Sequence, residues 1–457
     1  MEPRNDFSMS EALKDTADHV VRRAVAKGAS AADIFIREEE KFSVTVRMGE
    51  VETLKESVSR GLRLRVFLGK RTATSQTSDF SPAVVDALVD ETIEMAHLTS
   101  EDESGGLPES TAGSAEIPDL QLVDPSWDNF TPAQRIDWAR RAEGAAMNAD
   151  PRVTNSEGGM FEFERSRTVV ANTRGFLGEY EGTAGSVMAM PVARSAEGMQ
   201  RDFWASVTRF QNELESPEAV GIQATHRTVR RLGARKVRTC EAPVVFDPLT
   251  ARTIVGHVFA ACAGDAVYRR SSFLIDQLGK KVAPSHLTIV DDARMKRGLG
   301  SSPFDDEGVP TQVTPIIEGG ILQNYLHSSY TARKLNARPT GNGSRTGAGS
   351  VSVGSTNFYL MPGAIGPEEI IATVKSGLYV IELIGHGVNA VTGDYSRGVV
   401  GLWIENGKLS YPVHEVTIAG NLRQMLNDIE MVGNDVTFLG SISAPTVKIR
   451  NMVISGE

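Results

Sequence analysis

Hydrophobic positions near the start of the chain recur with a helical rhythm. Leu13, Ala17, Val20, Val21 and Ala24 mark one face, Ser8 and Glu11 form an S-x-x-E capping box ahead of them, and Gly28 supplies a stop. The period then changes to two. Phe42, Val44, Val46 and Met48 alternate with polar residues before Gly49, and Leu62, Leu64, Val66 and Leu68 alternate before Gly69-Lys70. This pattern predicts an antiparallel meander with one buried face. Ser81-Pro82 opens a second helix running through Met95. Helix, meander and helix together predict an α+β layer.

Residues 99–118 are acidic and rich in Gly and Ser, and read as a flexible loop. Thr131-Pro132-Ala133-Gln134 combines an N-cap, an N1 proline and a capping box, and opens a helix to about Met147. Short strands are expected at Met160 to Phe163, Thr168 to Ala171, Val187 to Met190 and Phe203 to Val207, with turns at Arg174-Gly175 and Gly182. Ser216-Pro217 starts another helix, to Leu232. The pattern changes near 233–240, which divides the chain into an N-terminal α+β domain (1–235) and a C-terminal domain (236–457). The second half is glycine-rich, with apolar strands at Leu378 to Ile384, Val399 to Ile404, Val413 to Ile418 and Val447 to Ile454. Asn406-Gly407 is a hairpin signal between Ile404 and Leu409. These features predict a mostly β domain with a curved or barrel-like sheet.

Composition narrows the function. A length of 457 residues suits two domains, and 40% hydrophobic with 23% charged residues is ordinary for a globular protein. No apolar run approaches the ~20 residues that span a bilayer. The first residues do not read as a signal peptide, so a cytoplasmic protein is expected, with no membrane partner. The net charge of −10 argues against a nucleic-acid partner. Two cysteines, Cys240 and Cys262, exclude a disulfide framework and an all-cysteine metal site.

The candidate chemistry begins at IVGHVFAACAGD, Ile254 to Asp265, on a helix that Asp247-Pro248 opens and Gly264 ends. Ile254, Val255, Val258 and Cys262 share a stripe, while His257 lies roughly 140° from Cys262 on a regular helix. No carboxylate follows His257, so the pair reads as a core helix with a buried thiol and a boundary imidazole. Arg269 and Arg270, followed by Ser271 and Ser272, have the donors to hold a peptide carboxylate, or else form a solvated helix end. Asp305, Asp306 and Glu307 lack calcium-loop spacing and read as a structural loop. Thr340 to Ser350 is glycine-rich without the phosphate-loop G-K-[ST], and suits a backbone that approaches a ligand closely. Among the scattered histidines, His386 between two apolar strands is the one best placed to line a site.

The second half resembles the TldD/TldE (PmbA) family, on the TldE (PmbA) side. The matching segments are YRRSSFLIDQLG at 268–279, RGLGSSPFDDEGVPT at 297–311, HSSYTARKL at 327–335 and PTGN at 339–342. VTGDYSRGVVGLWIENG at 391–407, YPVHEVTIAGNL at 411–422 and GND at 433–435 complete the set. The N-terminal half is similar more loosely, through GLRLRVF and NTRGF at 172–176.

The resemblance implies a cytosolic heterodimer acting as a metalloprotease on unfolded or flexible polypeptides in an enclosed cavity. In some bacteria such a pair matures a peptide-antibiotic precursor and degrades an antitoxin. A TldD-like subunit carries H-E-x-x-x-H on a helix and a cysteine near its C-terminus, together binding the catalytic metal. Here His257 is followed by Val258, Cys262 stands where the second histidine would be, and Gly440 to Pro445 contains no cysteine. The family's own motif has this i, i+5 spacing, so the lost glutamate and cysteine weigh more than the helix angle. The resemblance therefore implies no catalytic residue, metal or cofactor in this chain, zinc in a TldD-like partner, and a homodimer when the chain is alone. Arg269, Arg270, Thr340 and Asn342 are the expected substrate-contacting residues. Two other readings remain: a metallopeptidase in its own right, with a metal on His257, and a non-proteolytic polypeptide-binding scaffold.

Overall fold

The computed structural model describes residues 6–109, 118–345 and 350–457. The Ser8 side chain of the expected capping box, the middle of the 99–118 loop and Thr346 to Gly349 lie outside them.

One antiparallel sheet dominates residues 31–208. Its strands run in the order Arg71–Thr77, Glu50–Leu68, Ala31–Arg47, Val153–Asn172, Leu177–Ser195 and Gly198–Arg201, and Trp204–Thr208 also pairs with Leu177–Ser195. Helices Asp6–Ala26 and Pro82–Leu98 cover one part of it, around Ile34, Ile36, Leu64 and Val169. Helices Pro132–Ala149 and Pro217–Val229 cover another part of the same face, around Phe42, Val44, Phe161 and Val187. Alternation sends Phe35 and Val170 to the opposite face, where they pack with Phe176 and Phe304. The sheet thus rests on the second half of the chain.

The capping signals largely hold. Thr131 and Gln134 form the reciprocal box, and Ser216 Oγ accepts from Ala219 N. Ser81 makes no side-chain cap although Pro82 starts its helix. The hairpin at Asn406-Gly407 is present, with positive φ at both residues (50° and 77°).

Strand length is where the fold departs from its sequence pattern. Met160 to Phe163 and Thr168 to Ala171 belong to a single 20-residue strand. The charged run Arg37 to Lys41 sits in mid-strand, not in a turn. Cross-strand ion pairs to Glu164 hold it there, from Arg37 at 3.0 Å and from Lys41 at 3.5 Å. Gly182 is likewise mid-strand, opposite Ser166. A Cβ there would lie 2.8 Å from Arg209 Nη1, so the glycine admits a guanidinium.

The second half closes on itself. Strands Lys408–Asn421, Asp394–Glu405, Ser376–Val388, Cys240–Phe246 and Val447–Ser455 pair in that order, and Val447–Ser455 pairs back to Lys408–Asn421. Five strands therefore complete a ring, with Ile429–Val432 outside it on Val447–Ser455. The α+β class and the barrel-like C-terminal sheet are as the sequence predicts. A second sheet comprises Ile321–Leu322, Val313–Glu318, Ile289–Asp292, Phe358–Leu360 and Ile442–Ser443. Helix Pro248–Cys262 packs against both sheets within the largest core, through Ile254, Val255, Val258 and Cys262.

Candidate functional site

Helix Pro248–Cys262 begins where strand Cys240–Phe246 leaves the ring. Asp247 Oδ1 accepts from Leu249 N at 3.0 Å and Pro248 fills the first turn. Cys262 is 0% exposed, and burial pushes its thiol well above the ordinary range. With no other group of potential metal ligands gathered around it among the described residues, Cys262 packs as a small apolar side chain in the largest core. His257 is half-buried on another side of the helix, its ring 6.1 Å from that of Tyr395 in an edge-on contact. Burial, then the positive charge of Arg397, lower its pKa.

The segment Gly440 to Pro445 meets this helix in space. A Cβ on Gly256 would lie 3.7 Å from Ile442 Cδ1. What faces the helix there is an isoleucine between Ser441 and Ser443, and no cysteine. Among the described residues no group of three or more His, Cys, Asp or Glu side chains is placed to hold a metal ion. The donors present do not fit a catalytic zinc, which takes three protein ligands and an open position.

The helix ends one residue earlier than its pattern suggests. Ala263 is extended, and Gly264 starts a short second helix, Gly264–Tyr268, instead of terminating the first. Glycine is required by contact: a Cβ there would lie 2.6 Å from Thr331 Oγ1 and 2.7 Å from His327 Nδ1. Beyond Tyr268 the chain reverses with Arg270 in the left-handed region (φ 55°). This brings Arg270 to the mouth of a cleft of about 700 Å³, together with Asp276, Tyr325, His327, Arg338 and Thr340.

The expected substrate-contacting residues separate here. Arg270 and Thr340 line the cleft. Arg269 is exposed, its Nε donating to Tyr268 Oη at 2.9 Å. Asn342 is buried behind Thr340: Thr340 Oγ1 donates to Asn342 Oδ1 at 2.6 Å, and Asn342 Nδ2 donates to Asp291 Oδ2 at 2.6 Å. Burial pushes the Asp291 carboxyl up to about 6. His386 lies elsewhere, in a shallow open pocket beside Tyr395.

His327 is the cleft residue that sequence reasoning passed over. Its backbone N donates to Thr340 Oγ1 at 2.8 Å, and burial lowers its pKa to about 4. It is a neutral imidazole at neutral pH. Its one sequence signal is position, at the head of the HSSYTARKL segment.

The acidic run works as scaffolding for the glycine-rich segment. Asp305 Oδ2 accepts from Gly343 N at 2.7 Å, Asp306 Oδ2 from Arg345 N at 2.7 Å, and Glu307 Oε2 from Ser329 N at 2.8 Å. Burial and the adjacent Glu307 push Asp305 well above the usual carboxylate range.

Comparison with known proteins now decides the family. Residues 32–96, 125–232 and 239–456 match the family profiles described as PmbA/TldA metallopeptidase domain 1, central domain and C-terminal domain. The chain is 37% identical over 454 residues to the metalloprotease PmbA of Escherichia coli O157:H7, covering 99% of this chain and 98% of that one. It belongs to the TldD/PmbA metallopeptidase family. The fold agrees. A Bacteroides thetaiotaomicron crystal structure, of a protein named as a modulator of DNA gyrase, aligns at a TM-score of 0.90 with 26% identity, covering 97% and 99% of the two chains. The crystal structure of TldE from Thermococcus kodakarensis aligns at 0.87 with 21% identity over 96% and 100%, a likeness of fold.

Proposed function

We propose that this chain is the TldE/PmbA-like subunit of a cytoplasmic TldD/TldE metalloprotease, acting in proteolysis or peptide maturation. It lacks its own catalytic metal, pairs with a zinc-bearing TldD-like subunit and completes the cavity that receives an unfolded polypeptide. Two halves, 1–235 and 236–457, divide the work, the second lining the cavity. One observation carries this reading. The helix holds Val258 after His257 and a buried thiol at Cys262, and the segment packed on it holds Ile442 between two serines. Water activation by a metal needs an open coordination site and a general base, and this helix supplies neither.

The cleft supports the substrate side of the proposal. Arg270 offers planar charge-assisted donors to a peptide carboxylate or carbonyl, Thr340 a hydroxyl, and Val267 and Leu278 apolar wall. Arg269 and Asn342 take part indirectly, Asn342 by fixing Thr340. The test is co-expression with the TldD-like protein of the same organism. The expected result is a co-purifying pair with peptidase activity that neither chain shows alone, and an Arg270→Ala pair with weakened KM. Failure to recover a pair, together with no activity on mixing, contradicts the proposal.

A further inference from the structure

A second cavity, of about 410 Å³, lies where the central and C-terminal parts of the chain meet. Its walls come from helix Pro217–Val229 and the turn after it, from the first turns of helix Pro248–Cys262, and from strands Ser376–Val388 and Asp394–Glu405. Guanidinium groups dominate it: Arg227, Arg231, Arg252 and Arg397 all contribute to the lining. Arg230 joins the same charge network, its Nη2 3.7 Å from Asp247 Oδ2.

The carboxylates do not balance these charges. Asp247 lies 3.0 Å from Arg227 Nη1, but it also caps Leu249 N and accepts from Tyr379 Oη at 3.2 Å. Asp202 Oδ2 stands 3.4 Å from Arg227 Nε and 3.8 Å from Arg231 Nη1, out of hydrogen-bond geometry with either. Glu382 pairs with Arg231 from an exposed position. Arg201 at the rim is already matched by Glu157 at 2.5 Å. Arg227, Arg230 and Arg231 thus engage three carboxylates, and Arg252 and Arg397 add two further positive charges to a partly closed space.

The deepest groups are also under-bonded. Arg227 is 4% exposed and Arg231 7% exposed. Arg227 Nε and Nη2, and Arg231 Nε, have no hydrogen-bond partner. Buried donors left unpaired are costly, and an excess of buried charge more so. Burial lowers the pKa of Arg252, with Asp247 as the charge that offsets it. The unpaired buried donors and the crowding of guanidiniums favour a counter-ion.

We infer that this junction cavity is a binding site for a small free dianion of the phosphate class, held by Arg227, Arg231, Arg252 and Arg397. A guanidinium fork matches a pair of oxygens of such a tetrahedral oxyanion, and two negative charges neutralise the excess. The site shares no lining residue with the Arg270 cleft, and it needs neither the TldD-like partner nor the polypeptide. By bridging the central and C-terminal parts it would tighten their contact.

The test uses the full-length chain and inorganic phosphate. Thermal denaturation is followed as phosphate is titrated against sodium chloride at equal ionic strength, and equilibrium dialysis measures stoichiometry. The inference predicts saturable stabilisation and about one phosphate per chain, with Arg252→Gln and Arg397→Gln each raising the half-saturation about ten-fold. Arg269→Gln, exposed and outside the cavity lining, leaves it unchanged. Arg397→Gln, at a half-buried position, keeps the test informative if the Arg252 variant folds poorly. Stabilisation that follows ionic strength alone, or variants that saturate as the unmodified chain does, overturns the inference.

Discussion

Arg65 Nη2 donates to Glu307 Oε1 at 3.0 Å across the junction between the N-terminal sheet and the C-terminal half, with both side chains shut away from water. Arg65 also grips Asp33, and Arg345 Nη2 lies 2.6 Å from Asp33 Oδ1. Burial works to raise the Asp33 pKa, yet Arg345 and Arg65 hold it below its ordinary value. Removing one member strands its partner's charge. Glu307→Ala should cost about 3–5 kcal/mol, read from the denaturant midpoint and slope. A loss under about 1 kcal/mol would mean that the network carries no such weight.

Gly264 supports the cleft wall through a close approach. Gly264→Ala places a methyl group against Thr331 and His327. It should destabilise the chain by about 1–3 kcal/mol and disturb the His327–Thr340 contact. Unchanged thermal stability together with unchanged histidine resonances contradicts that geometry.

His327 sets a pH dependence of definite sign. Its folded pKa, about 4, lies below the unfolded value near 6.5. The neutral ring therefore contributes stability that is present above pH about 6.5 and is lost as pH falls through about 4. Asp291 acts in the opposite sense: its folded pKa of about 6 favours the protonated form, so its contribution declines as pH rises from about 4 to 6. The stability difference between the parent and His327→Gln should shrink steadily from pH 6.5 to 4. A difference constant over that range places the imidazole in solvent.

Cys262 should resist thiol reagents in the native chain, while half-buried Cys240 reacts slowly. Ellman's reagent should titrate at most one thiol before denaturation and two after it. Two thiols in the native state contradict the buried assignment.

The cores were legible because their periods are regular. Ile254, Val255, Val258 and Cys262 form one stripe on one helix, and Leu62, Leu64 and Val66 one face of one strand. Capping residues such as Thr131 and Asp247 announce themselves by local chemistry. Long strands were less legible, because the ion pairs that carry Arg37 to Lys41 through the sheet come from Glu164, more than a hundred residues away. The site was partly legible for the same reason. Arg270 and Thr340 meet in one cleft through a reversal and a loop, and nothing local to Thr340 says that His327 stands beside it. Asn342 looks like a loop residue in sequence, yet the distant Asp291 draws it inward.

The most direct test of the central claim is zinc content, measured by mass spectrometry on the chain purified alone and on the chain purified with its TldD-like partner. The account predicts no stoichiometric zinc on the chain alone and about one zinc per pair, unchanged by His257→Ala in this chain. Stoichiometric zinc on the chain alone, lost in His257→Ala, would contradict it.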